Sequence, residues 1–226
     1  MTASFDGRAA KKVLSIGIPA AVQGAVFGFA NIFIQASVNT FGSTITAGST
    51  IAMNFEYFAY YMITAFAQAA TTFTAANISA GNEERCRKIL VFSLIEAAVM
   101  SSLIVFPLSL GSDFFSAIFS SNRAVIRASA CRNHTILIFE TSCCLYEVLA
   151  GTMRGRGHSA LPAVINVVGI AVFRVLWIAT AFQMTQSLKI LYMAFPISWT
   201  ITNAGMLLAA SETGVARCIK AVPADK

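Results

Sequence analysis

The sequence predicts an all-α integral membrane protein whose transmembrane helices form one bundle. Hydrophobic residues make up 57% of the 226 residues and charged residues only 12%, and the mean hydropathy is +0.70. Soluble domains carry about twice this share of charge. The apolar residues also fall into stretches of about 20 residues, the length that a helix needs to cross a bilayer. This composition excludes a soluble protein.

Hydropathy divides the chain into a six-helix transmembrane bundle over residues 13–210 and two polar ends. In chain order, the predicted spans are Leu14–Asn39, Ile45–Ile78, Ile89–Leu110, Ile136–Thr152, Ala160–Met184 and Leu188–Ala210. The fourth span is short and contains two glutamates, so we expect its helix to begin earlier, near Ala124 or His134. Residues 1–12 and 211–226 are predicted to be a cytoplasmic N-terminal segment and a cytoplasmic tail.

The basic residues predict the orientation. With the N-terminus inside, the inner segments hold Arg8, Lys11, Lys12, Arg85, Arg87, Lys88, Arg154, Arg156, Arg217, Lys220 and Lys226. The outer loops hold Arg123, Arg127, Arg132 and Lys189. Because cytoplasmic loops are enriched in Lys and Arg, both termini are predicted to be cytoplasmic, at the plasma membrane. These clusters account for the net charge of +6, so we expect no nucleic-acid partner.

Amide side chains recur along the first span. Residues at four-residue spacing form a stripe on this helix that consists mostly of amides: Gln23, Phe27, Asn31, Gln35 and Asn39. Amides either bind a ligand or join neighbouring helices by hydrogen bonds, and the spacing leaves both alternatives open. Asn31 and Gln35 are candidates for lining a substrate cavity.

The second span carries the strongest functional signal, a polar face around a carboxylate. A sector of about 160° contains Glu56, Tyr57, Tyr60, Tyr61, Thr64, Gln68, Thr71 and Thr72. The opposite side is apolar and is predicted to face lipid, with Phe58, Met62, Phe66, Ala69 and Phe73. Because a membrane carboxylate normally faces a bundle interior or a water-filled cavity, Glu56 is predicted to line a transport pathway. The alternative is a carboxylate that bonds a neighbouring hydroxyl in a packed bundle.

Two further carboxylates lie in the fourth span. Helical spacing places Glu140 and Glu147 on one face, about 10 Å apart along the axis. They either belong to one aqueous path or one of them forms a structural ion pair with Arg174 of the fifth span. The sequence leaves both open. Glu96, alone in the third span, lies near the interface or is buried.

Residues typical of an enzyme, a metal site or a cofactor site are missing from the pattern. The cysteines show no C-x-x-C spacing and no histidine pairing, and we interpret them as apolar fillers: Cys86, Cys131, Cys143, Cys144 and Cys218. The glycine-rich link Met153–His158 lacks the strand context of a phosphate-binding loop, so its arginines are expected to contact lipid headgroups. We therefore predict a protein that is not an enzyme and has no metal or cofactor.

Several short motifs occur in a characteristic order. They are Leu14–Pro19, Asn31–Gln35, Phe41-Gly42, the Gln68–Phe73 run with Asn77, Gly81-Asn82 before Arg85, and Met153–Gly157 leading to Pro162 and Arg174. This series resembles the C-terminal half of the multidrug and toxic compound extrusion (MATE) family of antiporters. The resemblance covers nearly the whole chain, from Lys12 to Ala210.

The resemblance implies two six-helix bundles, related by pseudo-twofold symmetry around a central cavity, that exchange Na⁺ or H⁺ for small organic, often cationic, substrates. By position, Glu56 matches an acid often seen in the family's eighth helix, Glu140 and Glu147 lie in the counterpart of its tenth, and Arg174 matches a common arginine of its eleventh. The three carboxylates become ion-coupling candidates, and Tyr57, Tyr60, Tyr61, Thr64 and Gln68 become cavity candidates. The first span lacks the acid that some members carry in the seventh helix.

Only one bundle is present in the sequence. Either the chain is a fragment, or two copies or a separate partner assemble the cavity. A lipid-linked saccharide flippase is an alternative transporter, which predicts basic residues in the spans, and Arg174 supports it. A membrane module that binds a partner without transporting, or an inactive fragment, would tolerate Glu56→Gln.

Overall fold

A computed structural model describes residues 7–213 and Val215, and within this part the chain is almost entirely helical. The α-helices are α1 (Gly7–Asn39), α2 (Ser43–Ser79), α3 (Glu83–Leu110), α4 (Ser112–Ala117), α5 (Arg123–Thr135), α6 (Cys143–Gly155), α7 (Ala160–Asn166), α8 (Phe173–Trp177), α9 (Gln183–Thr185) and α10 (Leu188–Glu212). A 3₁₀ turn, Leu137–Ser142, joins α5 to α6. π-helical turns at Val167–Val172 and Ile178–Phe182 flank α8. The predicted tail residues Arg217, Cys218, Lys220 and Lys226 lie outside the described residues.

Several of these helices are long and apolar enough to cross a membrane. Among the described residues there are 5 such segments: Val13–Asn39, Glu83–Leu110, Arg123–Gly155, Ala160–Thr185 and Leu188–Glu212. The chain is therefore a multi-pass membrane protein. Helix α2 is the longest, at 37 residues, but hydroxyl and amide side chains recur along it and lower its hydropathy. The count of six spans stays a prediction.

The fourth span begins much earlier than its apolar core. Its helix starts at Arg123, where the Asn122 side chain accepts a hydrogen bond from the Ala124 amide and caps the first turn. The 3₁₀ turn then interrupts the span before α6. A 3₁₀ turn has about 3.0 residues per turn instead of 3.6, so the span is not a regular α-helix at Glu140.

Helix α2 packs along both α5 and α6, and glycines permit both contacts. A Cβ on Gly48 would lie 2.6 Å from the carbonyl oxygen of Val125 in α5. A Cβ on Gly155 would lie 2.6 Å from the carbonyl oxygen of Thr71, and one on Gly151 would overlap the carbonyl oxygen of Ala67. Backbones that approach this closely bring the polar side chains of three helices together.

The helix ends and the outer surface fit a membrane setting. Arg156, after α6, forms an ion pair of 2.6 Å with Glu83 at the start of α3, so the two links that were predicted to be cytoplasmic lie at the same end of the bundle. Large apolar side chains are exposed along α3, including Phe92, Leu103 and Leu110. Such a surface suits lipid contact.

Candidate functional site

A cavity of about 140 Å³ lies where α1, α2, the 3₁₀ turn, α8 and α10 meet. Two carboxylates, Glu56 and Glu140, and two guanidinium groups, Arg132 and Arg174, reach its wall. All four side chains are at most 8% exposed. Because buried charge is costly unless it is paired, the partners of these four groups decide what the cavity can bind.

Glu56 and Arg132 form a bidentate ion pair. The Nε and Nη2 atoms of Arg132 donate to the two carboxylate oxygens of Glu56 at 2.6 and 2.8 Å, and Nη1 donates to the Ser49 hydroxyl at 2.7 Å. The rings of Tyr192 and Phe195 lie 5.3 Å from the Arg132 guanidinium carbon. Each charge of this pair is therefore compensated inside the bundle.

The prediction that Arg132 lies in an outer loop is wrong. Helix α5 begins at Arg123, so Arg132 lies more than two turns inside it and is 2% exposed. The sequence contained a signal for this position, since a buried Glu56 needs a cation and the predicted helix start near Ala124 already included Arg132.

Glu140 has no comparable partner. It lies in the 3₁₀ turn, is 3% exposed, and its Oε2 atom is buried without a hydrogen-bond partner among the described residues. A buried polar atom without a hydrogen-bond partner needs an explanation, and a carboxylate inside a membrane bundle is a functional-site candidate.

Arg174 faces the same cavity from α8. Its Nε donates to the Ser198 hydroxyl at 3.1 Å, and its guanidinium carbon lies 4.0 Å from the centre of the Phe195 ring and 5.9 Å from that of Trp199. No carboxylate oxygen of the described residues lies within 4.0 Å of its nitrogens. The alternative in which Arg174 forms a structural ion pair with Glu140 or Glu147 is therefore not what the structure contains.

Glu147 is separated from Glu140. It is 4% exposed on α6, it accepts a hydrogen bond of 2.7 Å from the Tyr60 hydroxyl, and it is not among the side chains on the cavity wall. Glu140 lies in the 3₁₀ turn and Glu147 on α6, so the two glutamates have different surroundings.

The other predicted cavity residues divide into two groups. Asn31, Gln35, Tyr57 and Tyr60 lie on the cavity wall. Tyr61, Thr64 and Gln68 do not; Tyr61 and Gln68 are exposed on the outer face of α2, and Thr64 is half-buried. Sequence reasoning missed the aromatic residues Tyr146, Phe195 and Trp199, which also line the wall, because an aromatic residue in an apolar span is not distinguishable from core.

A polar stripe runs along the outer face of α2. Its members are Thr50, Asn54, Tyr57, Tyr61, Thr64, Gln68 and Thr72, which are spaced by three or four residues and share an arc of about 80°. All except Thr64 are exposed in this single bundle. A stripe of hydroxyl and amide groups is poorly suited to lipid, so it indicates contact with water or with another protein.

Comparison with known proteins gives one matching family model, MatE, over residues 19–180. The probable multidrug resistance protein NorM of Thermotoga maritima is 24% identical over 165 residues, which are 71% of this chain and 34% of NorM.

Solved structures share the fold. A MATE protein in complex with MaL6 has a TM-score of 0.82 at 18% identity, over 95% of this chain and 49% of that one. A MOP superfamily transporter from Pyrococcus furiosus has a TM-score of 0.77 at 16% identity, over 92% of this chain and 45% of that one. The chain thus spans about half the length of these structures and a third of NorM.

Proposed function

The chain belongs to the MatE family, and from that premise we propose that it is half of a cation-coupled antiporter that exports organic compounds, cationic ones among them, across the plasma membrane. The observation that carries this proposal is the buried Glu140 carboxylate on the cavity wall, whose Oε2 atom has no hydrogen-bond partner in the described part of the chain. A carboxylate in that position can take up H⁺ or Na⁺ and release it when the substrate enters.

Glu140 is the first candidate for the coupling residue. Glu56 is held by both of its oxygens to Arg132, and Glu147 is held by Tyr60. Their charges are already compensated or hydrogen-bonded, whereas Oε2 of Glu140 has no partner among the residues that the structure describes and can bind an ion. Glu56 and Glu147 remain second candidates, whose partners would first have to be released.

A second bundle completes the proposed transporter. The chain spans about half the length of its structural relatives, and the polar stripe of α2 is exposed where lipid would otherwise meet it. Another copy of the chain or a separate partner would cover this stripe and enclose the cavity from the other side. We place both termini in the cytoplasm, because most basic loop residues then lie inside.

The test is efflux of a fluorescent cation from proteoliposomes driven by a Na⁺ or H⁺ gradient, with the oligomeric mass measured in detergent. Glu140→Gln is expected to abolish gradient-driven efflux. Glu96→Gln is the matched control, since Glu96 is an exposed carboxylate on α3, and it is expected to transport as the parent does. Unchanged efflux in the Glu140 variant would remove the coupling role, and no efflux from an assembled dimer would contradict transport by two copies.

A further inference from the structure

We propose that the cavity binds a small zwitterion, with Arg174 holding its anionic group and Glu140 holding its ammonium group. This inference rests on the proposed function, in which the cavity is the transport site, and it names the class of substrate. It differs from the expectation of a purely cationic substrate because of the charges that the bundle brings together.

The four charged side chains of the cavity divide into one closed ion pair and two groups that do not pair with each other. Glu56 and Arg132 satisfy one another through two hydrogen bonds, and Ser49 takes a third nitrogen of Arg132. This pair is closed to a ligand. One negative and one positive group, Glu140 and Arg174, remain for the contents of the cavity.

Glu140 and Arg174 face the same cavity without forming an ion pair. Both line the cavity, yet their charged atoms are more than 4.0 Å apart, since no ion pair joins them. Arg174 uses only Nε in a hydrogen bond with a described residue, and Oε2 of Glu140 has no partner there. Glu140 and Arg174 thus keep hydrogen-bonding capacity of opposite charge toward one cavity.

A ligand of this cavity must match both a guanidinium group and a carboxylate. A guanidinium group offers parallel N–H donors that match a carboxylate, and an ammonium group donates to a carboxylate acceptor such as Oε2. A ligand with one charge would satisfy one residue and leave the other buried without a partner. A zwitterion satisfies both, so the cavity discriminates in its favour by two charge-assisted contacts.

The volume of the cavity limits the size of the ligand. Cavities that enclose drug-sized molecules occupy about 300–1,000 Å³, whereas this bundle supplies about 140 Å³. Phe195 and Trp199 cover the Arg174 guanidinium, which leaves its edge to the ligand. The charged part of the ligand is therefore of amino-acid size.

Equilibrium binding by calorimetry, on the full chain purified in detergent, tests the proposal. The probe is 4-aminobutyrate, compared with butanoate and butylamine, which have the same carbon chain and one charge each. Glycine, β-alanine, 5-aminopentanoate and 6-aminohexanoate vary the separation of the two charges. We expect the best zwitterion of this series to bind at least tenfold more tightly than either single-charge analogue.

Charge-specific variants separate binding from folding. Glu140→Gln is expected to weaken the zwitterion to the level of butanoate without weakening butanoate, and Arg174→Gln is expected to weaken it to the level of butylamine without weakening butylamine. Glu96→Gln is the control and should bind as the parent does. A folding defect would weaken all ligands together and would show in circular dichroism and in elution from a sizing column.

Three results would contradict the proposal that the cavity binds a zwitterion. If butylamine bound as tightly as every amino acid, the site would be one for cations. If butanoate bound as tightly as every amino acid, the site would be one for anions, as the flippase alternative requires. No binding by any probe, with gradient-driven efflux of the fluorescent cation intact, would remove the inference and leave the proposed function. Zwitterion binding without any efflux would support the proposed binding site and contradict the proposed antiporter function.

Discussion

Glu56 and Arg132 show how a single pairing changes the meaning of a residue. The sequence presents Glu56 as a carboxylate beside tyrosines, free to line a pathway. The structure places Arg132, 76 positions away in the chain, against both of its oxygens. Because a bidentate contact in a buried setting holds both groups in place, Glu56 acts first as a structural partner and only secondarily as a candidate for coupling.

Arg132→Gln is predicted to destabilise the bundle by about 3–5 kcal/mol, because it leaves the Glu56 carboxylate buried without its cation. The free energy of unfolding in detergent, from denaturant titration, measures the effect. Arg127→Gln is the matched control on the same helix, since Arg127 is exposed, and it should change stability by less than about 0.5 kcal/mol.

The double variant Glu56→Gln with Arg132→Gln isolates the pair. It removes both charges, so it should be more stable than Arg132→Gln alone. If the single Arg132 variant were as stable as Arg127→Gln, the ion pair would contribute nothing and Glu56 would again be free to act as a coupling carboxylate.

At the scale of elements, the predictable and unpredictable features of the fold have different physical origins. The apolar stretches predicted the helices, and the two glutamates in the short fourth span predicted its early start, which α5 confirms. The 3₁₀ turn at Leu137–Ser142 was not predictable, because no proline or glycine marks it. Glu140 lies in that turn and on the cavity wall, whereas Glu147 lies on α6 and bonds Tyr60, so the sequence placed both carboxylates in the span without showing their different partners.

The site depends on helix contacts that local sequence does not encode. Asn31, Gln35, Tyr57 and Tyr60 were identified from polar spacing on single helices, and they lie on the cavity wall. The partner of Glu56 depends on how α5 packs on α2, which is a property of the assembled bundle. Gly48 was the available hint, since its missing side chain is what admits α5.

Gly151→Ala is predicted to destabilise the bundle by about 1–3 kcal/mol, because the added methyl group would overlap the Ala67 carbonyl and push α6 away from α2. Gly24→Ala is the matched control. It adds the same atom to α1 at a position where, apart from its chain neighbours and the backbone of α1, no described atom lies within 4 Å of the new Cβ, so it should be neutral or stabilise by up to about 1 kcal/mol.

Unfolding in detergent distinguishes the two glycine variants. The Gly151 variant should also move Glu147 away from the Tyr60 hydroxyl, which now donates to it at 2.7 Å. Equal stability of the two variants would mean that α6 can shift without cost, and the close helix contact would then not be what positions the polar groups.

At the scale of the whole molecule, the surface of the bundle has two kinds of exposed face. The face of α3 carries large apolar side chains such as Leu103, which is 64% exposed. The polar stripe of α2 carries Tyr61, 68% exposed, and the exposed Gln68. Thr50, Asn54, Thr64 and Thr72 bond backbone carbonyls of α2 itself. With lipid on all sides, the Tyr61 hydroxyl and the Gln68 amide would still meet hydrocarbon, where polar groups cost free energy. The stripe is therefore the direction in which a second bundle, or the aqueous space between two bundles, is expected.

Cysteine labelling in proteoliposomes distinguishes water from lipid at this stripe. In a background with Cys131 and Cys218 replaced by serine, Gln68→Cys is predicted to react with a water-soluble maleimide at least tenfold faster than Leu103→Cys. The reason is that a thiol reacts as the thiolate, which forms in water and not in hydrocarbon. Slow labelling at both positions would mean that lipid or a tight protein contact covers the stripe. Cross-linking between two Gln68→Cys chains then separates these cases, because only a face shared by two copies brings the thiols together.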